Sequence, residues 1–143
     1  MRIIKITPSI SALLFILMLS GCKTNRIRNN ERVGRWVEYD TIDGKIYKSV
    51  GRFRDGIGKG THRQFSDKKL VREEKYKNDI CHTIYYYDNG KITTEGNTKM
   101  VVTDEEIHWF YNGDWKFYDE NGQLLGIRTY ENGNVINEIE IQQ

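Results

Sequence analysis

Hydrophobic residues are distributed along this chain in two regimes. From Ile10 to Leu19 they form a run broken only by Ser11, with Arg2 and Lys5 ahead of it. From about Gly34 onward they alternate with polar residues in short bursts, and no stretch carries the 3.6-residue period of an amphipathic helix. The bursts are rich in β-branched and aromatic residues, which suit a pleated, half-buried surface. Between them stand Asp43-Gly44, Asn89-Gly90, Asn112-Gly113, Asn121-Gly122 and Asn132-Gly133. Such pairs tolerate the positive φ of tight hairpin turns and predict chain reversals at these points. The only proline, Pro8, precedes the whole region, so no later strand is denied a ladder donor. The pattern predicts an all-β chain of successive hairpins, closed by an edge or capping strand over 135–141.

The bursts repeat. Tyr39…Asp43-Gly44-Lys45-Ile46…Phe53-Arg54-Asp55-Gly56 is followed by Phe65-Ser66-Asp67-Lys68-Lys69-Leu70…Tyr76-Lys77-Asn78-Asp79, then Tyr87-Asp88-Asn89-Gly90-Lys91-Ile92. Tyr118-Asp119-Glu120-Asn121-Gly122-Gln123-Leu124…Tyr130-Glu131-Asn132-Gly133 completes the series. A spacing of roughly 22–26 residues falls in the range of stacked supersecondary units. The third unit is interrupted by Thr93 to Glu106, read as an extra hairpin turning at Asp104-Glu105-Glu106, with Tyr111-Asn112-Gly113 as its displaced ending.

Gly51-Arg52-Phe53-Arg54-Asp55-Gly56-Ile57-Gly58-Lys59-Gly60 resembles the MORN repeat, and the Tyr-Asp-Asn-Gly-Lys-Ile segment is similar to its bacterial variant. The resemblance covers about Gly34 to Gly133; Asp67-Lys68 depart from it by lacking the glycine. It implies an elongated antiparallel sheet of stacked hairpins that serves as a scaffold or contact surface, with no enzyme activity. Some bacterial relatives carry an antitoxin-like label.

Strand parity places aromatic residues on both faces. It predicts Val37, Tyr39, Arg63, Phe65, Tyr85, Tyr87, Lys116 and Tyr118 on one face. Trp36, Glu38, His62, Gln64, Ile84, Tyr86, Trp115 and Phe117 fall on the other. Neighbouring units cover one another's rings, each covered side chain contributing about 1.5–3 kcal/mol. The alternative is a recognition strip for a protein or glycan, in which Trp36, Tyr86 and Trp115 are the candidate ligand-binding residues.

The N-terminal run is too short for a membrane span of about 20 residues, since Lys23, Thr24, Asn25 and Arg26 end it. A basic start, an apolar core and small Ser20 and Gly21 make a secretory leader. Leu19-Ser20-Gly21-Cys22 resembles the lipobox of bacterial lipoprotein precursors, which implies cleavage before Cys22 and a diacylglycerol on its thiol. The expected organisation is a signal peptide over 1–21, a lipidated polar tether over 22–33 and a MORN-like β-repeat domain over 34–143. In that family an aspartate after the cysteine commonly retains a protein at the inner membrane; Lys23 stands there instead, which points to the outer membrane in a Gram-negative cell.

Charge narrows the partners. Once Arg2 and Lys5 leave with the leader, 20 of the 22 Lys and Arg remain against 20 Asp and Glu. A neutral domain carries no electrostatic footprint for nucleic acid. With Cys22 lipidated, Cys81 has no partner for a disulfide, and burial is the expected fate of its thiol. His62, His82 and His108 lie in different units without metal-ligand spacing, and no nucleophile motif or phosphate loop occurs. Neither cofactor, metal nor catalytic residue is expected. The expectation is a non-catalytic envelope lipoprotein that binds an envelope protein or glycan. An antitoxin or immunity-like toxin binder is the alternative, and an envelope-polymer hydrolase a more distant one.

Overall fold

The computed structural model describes residues 23–104 and 106–142. The leader over 1–21 and the lipidation position Cys22 lie outside the described residues. Ten strands follow one another: β1 (Arg26–Arg28), β2 (Glu31–Ile42), β3 (Lys45–Arg54), β4 (Ile57–Ser66), β5 (Lys69–Lys77), β6 (Ile80–Tyr86), β7 (Ile92–Val102), β8 (Ile107–Tyr118), β9 (Leu124–Glu131) and β10 (Asn134–Glu140). They pair in chain order as one open antiparallel sheet, so every neighbouring pair is a hairpin. The all-β hairpin architecture expected from the patterning is the observed one.

Turn chemistry accounts for the reversals. Asp43 and Gly44 adopt φ of 50° and 75°, and Asp55 and Gly56 adopt 50° and 73°. Such mirror-image turns match the twist of the strands they join. Asp67 and Lys68 make the same reversal at 48° and 67° without a glycine, at about 1 kcal/mol of strain on the lysine. The missing glycine in the second unit therefore leaves the turn type intact.

Four expectations change. Within the segment expected as a polar tether over 22–33, residues 26–28 and 31–33 are sheet: β1 pairs with β2 through Arg26↔Val33, Ile27↔Arg32 and Arg28↔Glu31. Backbone pairing along the free edge of β2 outweighs a polar composition. Asn112-Gly113 does not reverse the chain. It lies inside β8, where Gly113 takes φ 70° and β8 carries extra residues against Glu95 and Asn97 of β7. A bulge uses the same left-handed conformation as a turn, so the dipeptide alone does not distinguish them. The turn at 103–106 exists, with Thr103 N–H donating to Glu106 O at 3.0 Å. It joins lengthened β7 and β8 of the regular ladder, paired to Val102↔Ile107, rather than an additional hairpin. Finally, the third unit is inverted in face, because Arg72↔Tyr85 and Glu73↔Ile84 pair across β5 and β6.

The core is sparse, because a single layer has nothing to pack against. Among the described residues, the buried hydrophobic side chains are Cys81, Ile84 and Trp115. On the face bearing Ile84 a cross-strand row runs Val37, Val50, Arg63, Glu73, Ile84, Glu95, Lys116 and Ile127. Glu73 is buried within it, accepting hydrogen bonds from Arg63 Nε at 2.7 Å and pairing with Lys75 Nζ at 3.0 Å. Burial by itself raises the Glu73 pKa, but the bonds from Arg63 and Lys75 outweigh it and hold the carboxyl below its ordinary value. The ionised form is thus favoured by folding. That stabilisation is present at neutral pH, declines once the pH drops below the unfolded value of about 4.3, and is gone below the folded pKa. We expect Glu73→Gln to lose about 1 kcal/mol at pH 7, since both cations stay half in water. It should also flatten the acid limb of the urea midpoint plotted against pH; an unchanged limb would remove Glu73 as the titrating group.

Candidate binding face

The opposite face is aromatic. Trp36 pairs with Gly51 and Phe53 with Gly34 across β2 and β3. From there the rings run on in contact: Trp36 to Phe53 at 6.1 Å and Phe53 to His62 at 4.9 Å edge to face, His62 to Tyr76 at 4.7 Å tilted, and Tyr76 to Trp109 at 5.5 Å edge to face. Tyr111 continues the face against Trp115 at 4.7 Å and Tyr130 at 5.1 Å. Such contacts add about 0.5–1.5 kcal/mol each beyond the area they bury.

Mid-strand glycines make this possible. A Cβ on Gly51 would come within 2.4 Å of the His62 ring, and one on Gly96 within 2.2 Å of the Trp115 indole. Each ring therefore lies flat on the backbone of the adjoining strand, in the volume that any other residue would fill. Hydrogen bonds pin them: Trp115 Nε1 donates to Asn97 O at 2.9 Å, and His62 Nε2 lies 2.7 Å from Arg52 O. The sequence reading assigned glycine spacing to turns; Gly51 and Gly96 are strand residues that seat rings.

Two adjoining depressions of about 300 and 330 Å³ form a groove along this face and share Glu74 and Tyr76. Arg32 covers one end, its guanidinium 4.7 Å from the Trp36 ring and 2.8 Å from Glu38. At the centre Tyr76 donates to Glu74 at 3.2 Å, and Arg72 Nε stands 3.7 Å from the same carboxylate. Burial, then the Glu74 charge, pushes the Tyr76 phenol up, so it remains a hydrogen-bond donor. Burial is the largest influence on the Arg72 pKa and lowers it, but Glu74 together with Tyr85 and Tyr76 outweighs it, and the side chain stays cationic. The groove offers rings, a cation, an anion and a hydroxyl donor.

Nucleophilic chemistry has little support there. Cys81 is buried, its thiol pushed up by burial and placed 3.7 Å from Thr83 Oγ1. His62 is held against the Arg52 backbone, and His82 is on the other face, 3.0 Å from Asn97 Oδ1 and 3.9 Å from Glu95. On that face Tyr118 donates to Glu95 at 2.7 Å, and burial together with the carboxylate pushes its pKa up to about 12. Among the described residues no three His, Cys, Asp or Glu side chains cluster as metal ligands.

The three sequence candidates separate. Trp36 is half-buried at one end of the groove, and Trp115 is only 4% exposed, seated on Gly96. Tyr86 pairs with Ile92 on the other face, near Glu73. Phe53, Arg72, Glu74, Tyr76 and Trp109 were missed. The legible signal was a glycine in mid-burst, which marks where the neighbouring strand places a ring.

Residues 82–100 and 111–132 match the family model described as MORN repeat variant. The first MORN match contains Gly96 and the second contains Trp115, so the seat and its ring fall in successive repeats. MORN repeats are generally protein or membrane interaction modules and generally non-catalytic. No curated protein and no solved structure matches the chain.

Proposed function

We propose that this chain is a cell-envelope lipoprotein, acylated on Cys22, whose sheet is a non-catalytic module that binds an envelope protein or glycan. The observation that carries the binding role is the continuous aromatic groove from Trp36 to Trp109, on a sheet that no second layer covers among the described residues. Half-buried rings beside Arg72, Glu74 and the Tyr76 hydroxyl combine rigid contact area with orienting polar groups. Leu19-Ser20-Gly21-Cys22 supports the anchoring, in the outer membrane if the cell is Gram-negative.

Trp36→Ala and Trp109→Ala test the groove, because neither ring is among the buried core. Each should weaken capture of the envelope partner by about tenfold or more, as expected for a hot spot of about 2 kcal/mol. Circular dichroism and the thermal midpoint should show the fold retained; capture unaffected by both changes would move the binding site elsewhere. Cys22→Ser should abolish incorporation of labelled fatty acid, and retained labelling would refute the anchoring.

A further inference from the structure

The pairing of β1 with β2 determines how closely the acylated end approaches the sheet. Asn25 N–H donates to Arg35 O at 2.9 Å, its Nδ2 donates to Val37 O at 2.8 Å, and its Oδ1 accepts Val37 N–H at 2.7 Å. The sheet therefore holds the chain as far back as Asn25. Only Lys23 and Thr24 separate it from Cys22, and three residue steps span at most about 10 Å. Because β1 is antiparallel to β2, the chain read backwards from Arg26 heads toward Tyr39 and Ile42.

That end of the sheet is apolar and bare. Tyr39 is 65% exposed, Ile46 61% and Ile42 52%. Tyr39 and Ile46 line a depression of about 440 Å³ together with Phe65, Lys48, Asp67 and Lys68. Lys48 Nζ stands 5.8 Å from the Tyr39 ring, and exposed Lys45 and Lys68 flank the group. Asp40, Asp43 and Asp67 occupy the same end, and no ion pair ties these lysines among the described residues. A tyrosine and two isoleucines bordered by flexible ammonium groups fit the boundary between headgroups and acyl chains: the rings and aliphatics enter while the lysine stems reach back to water and phosphate.

We propose that the β2–β3 end of the sheet, Tyr39, Ile42 and Ile46 with Lys45, Lys48 and Lys68, seats in the bilayer surface that holds the lipid on Cys22. The proposal rests on the lipoprotein reading above. Tyr39 lies two residues beyond Val37, about 7 Å along β2, well inside the reach of the Cys22 anchor. Among further bare aliphatics, Val101, Val102 and Ile107 at the β7–β8 reversal and Val135 and Ile136 after the β9–β10 turn lie at the opposite ends of the strands. With the β2–β3 end in the bilayer, they point away from the membrane.

The test uses the acylated chain in vesicles of phosphatidylglycerol and phosphatidylethanolamine. A fluorophore is placed through Ile46→Cys or, as control, Val102→Cys; buried Cys81 stays unlabelled. Lipids spin-labelled near the headgroup should quench most of the emission at position 46 and leave position 102 unchanged. Equal quenching at both sites, or at neither, overturns the proposal. A position-46 probe shielded from water but not quenched by lipid overturns it too, and assigns the end to a second copy or a protein. Mass analysis of the same sample separates the premises: an unmodified Cys22 removes the lipoprotein reading and this inference together, whereas an acylated Cys22 with an unquenched probe removes this inference alone.

Discussion

Trp115→Ala should destabilise the domain by about 3–5 kcal/mol, the largest effect expected of any single truncation here. Among the described residues Trp115 is the one aromatic side chain in the buried core, and its indole lies across Gly96 of β7. Truncation empties the volume over that glycine, strands the Asn97 carbonyl that accepts from Nε1 at 2.9 Å, and leaves Tyr111 without its edge contact. Among the described residues no second layer stands ready to collapse into the gap, so relaxation recovers little of the loss. The thermal midpoint should fall by roughly 10–20 °C. Because each hairpin contacts only its neighbours, hydrogen-exchange protection should fail first in β7 to β9. A loss below about 1 kcal/mol would mean that the indole does not join these strands.

Gly96→Val should be destabilising by about 1–3 kcal/mol or more, against what strand propensity alone predicts. Valine is the better strand former, and Gly96 has ordinary strand backbone with no positive φ. The cost is steric. A Cβ at position 96 would sit 2.2 Å from the Trp115 ring, so the indole must leave its seat, and its hydrogen bond to Asn97 goes with it. The double variant Gly96→Val, Trp115→Ala provides the decisive comparison. Its urea-unfolding cost should fall short of the sum of the two single costs by about 1–3 kcal/mol, because the new methyls fill the space the ring vacates. Strict additivity would show that the glycine and the ring are not partners.

Much of the fold was legible because hairpins are local. Asp43-Gly44 and Asn132-Gly133 announce reversals through dihedral preference alone, and alternation between them marks strands. The misreadings came where the same local preference serves two ends. Asn112-Gly113 has turn chemistry but sits in a bulge of β8, and a bulge is defined by the partner strand. Parity failed for Tyr85 and Tyr86 for a related reason. The bulge in the β4–β5 pairing, between Gln64↔Arg72 and Phe65↔Leu70, shifts the count by one residue, and such a shift inverts every later side chain. The tether was misread because Asn25, Arg26 and Arg28 are polar, yet what holds them is backbone hydrogen bonding to β2, to which composition is blind.

The candidate groove was less legible than the fold. Trp36 could be named from the sequence, but Phe53, Tyr76 and Trp109 become its neighbours only through the registers of β2 to β8. Glu74 and Arg72, two charges in a run of charged residues, gain meaning from facing inward along the same groove.

By itself the sequence determined the all-β class, the hairpin order and the repeat, because turn dihedrals and two-residue alternation act within a few residues of chain. Tertiary structure decided which rings are core and which line the groove. Trp115 and Trp36 are the same residue type in similar local patterns, and each has a glycine on a neighbouring strand; Gly96 seats the Trp115 indole out of water, whereas Gly51 is covered by the His62 ring and Trp36 stays half-buried. Burial in a single-layer sheet is a property of paired strands, so it is absent from any one of them read alone.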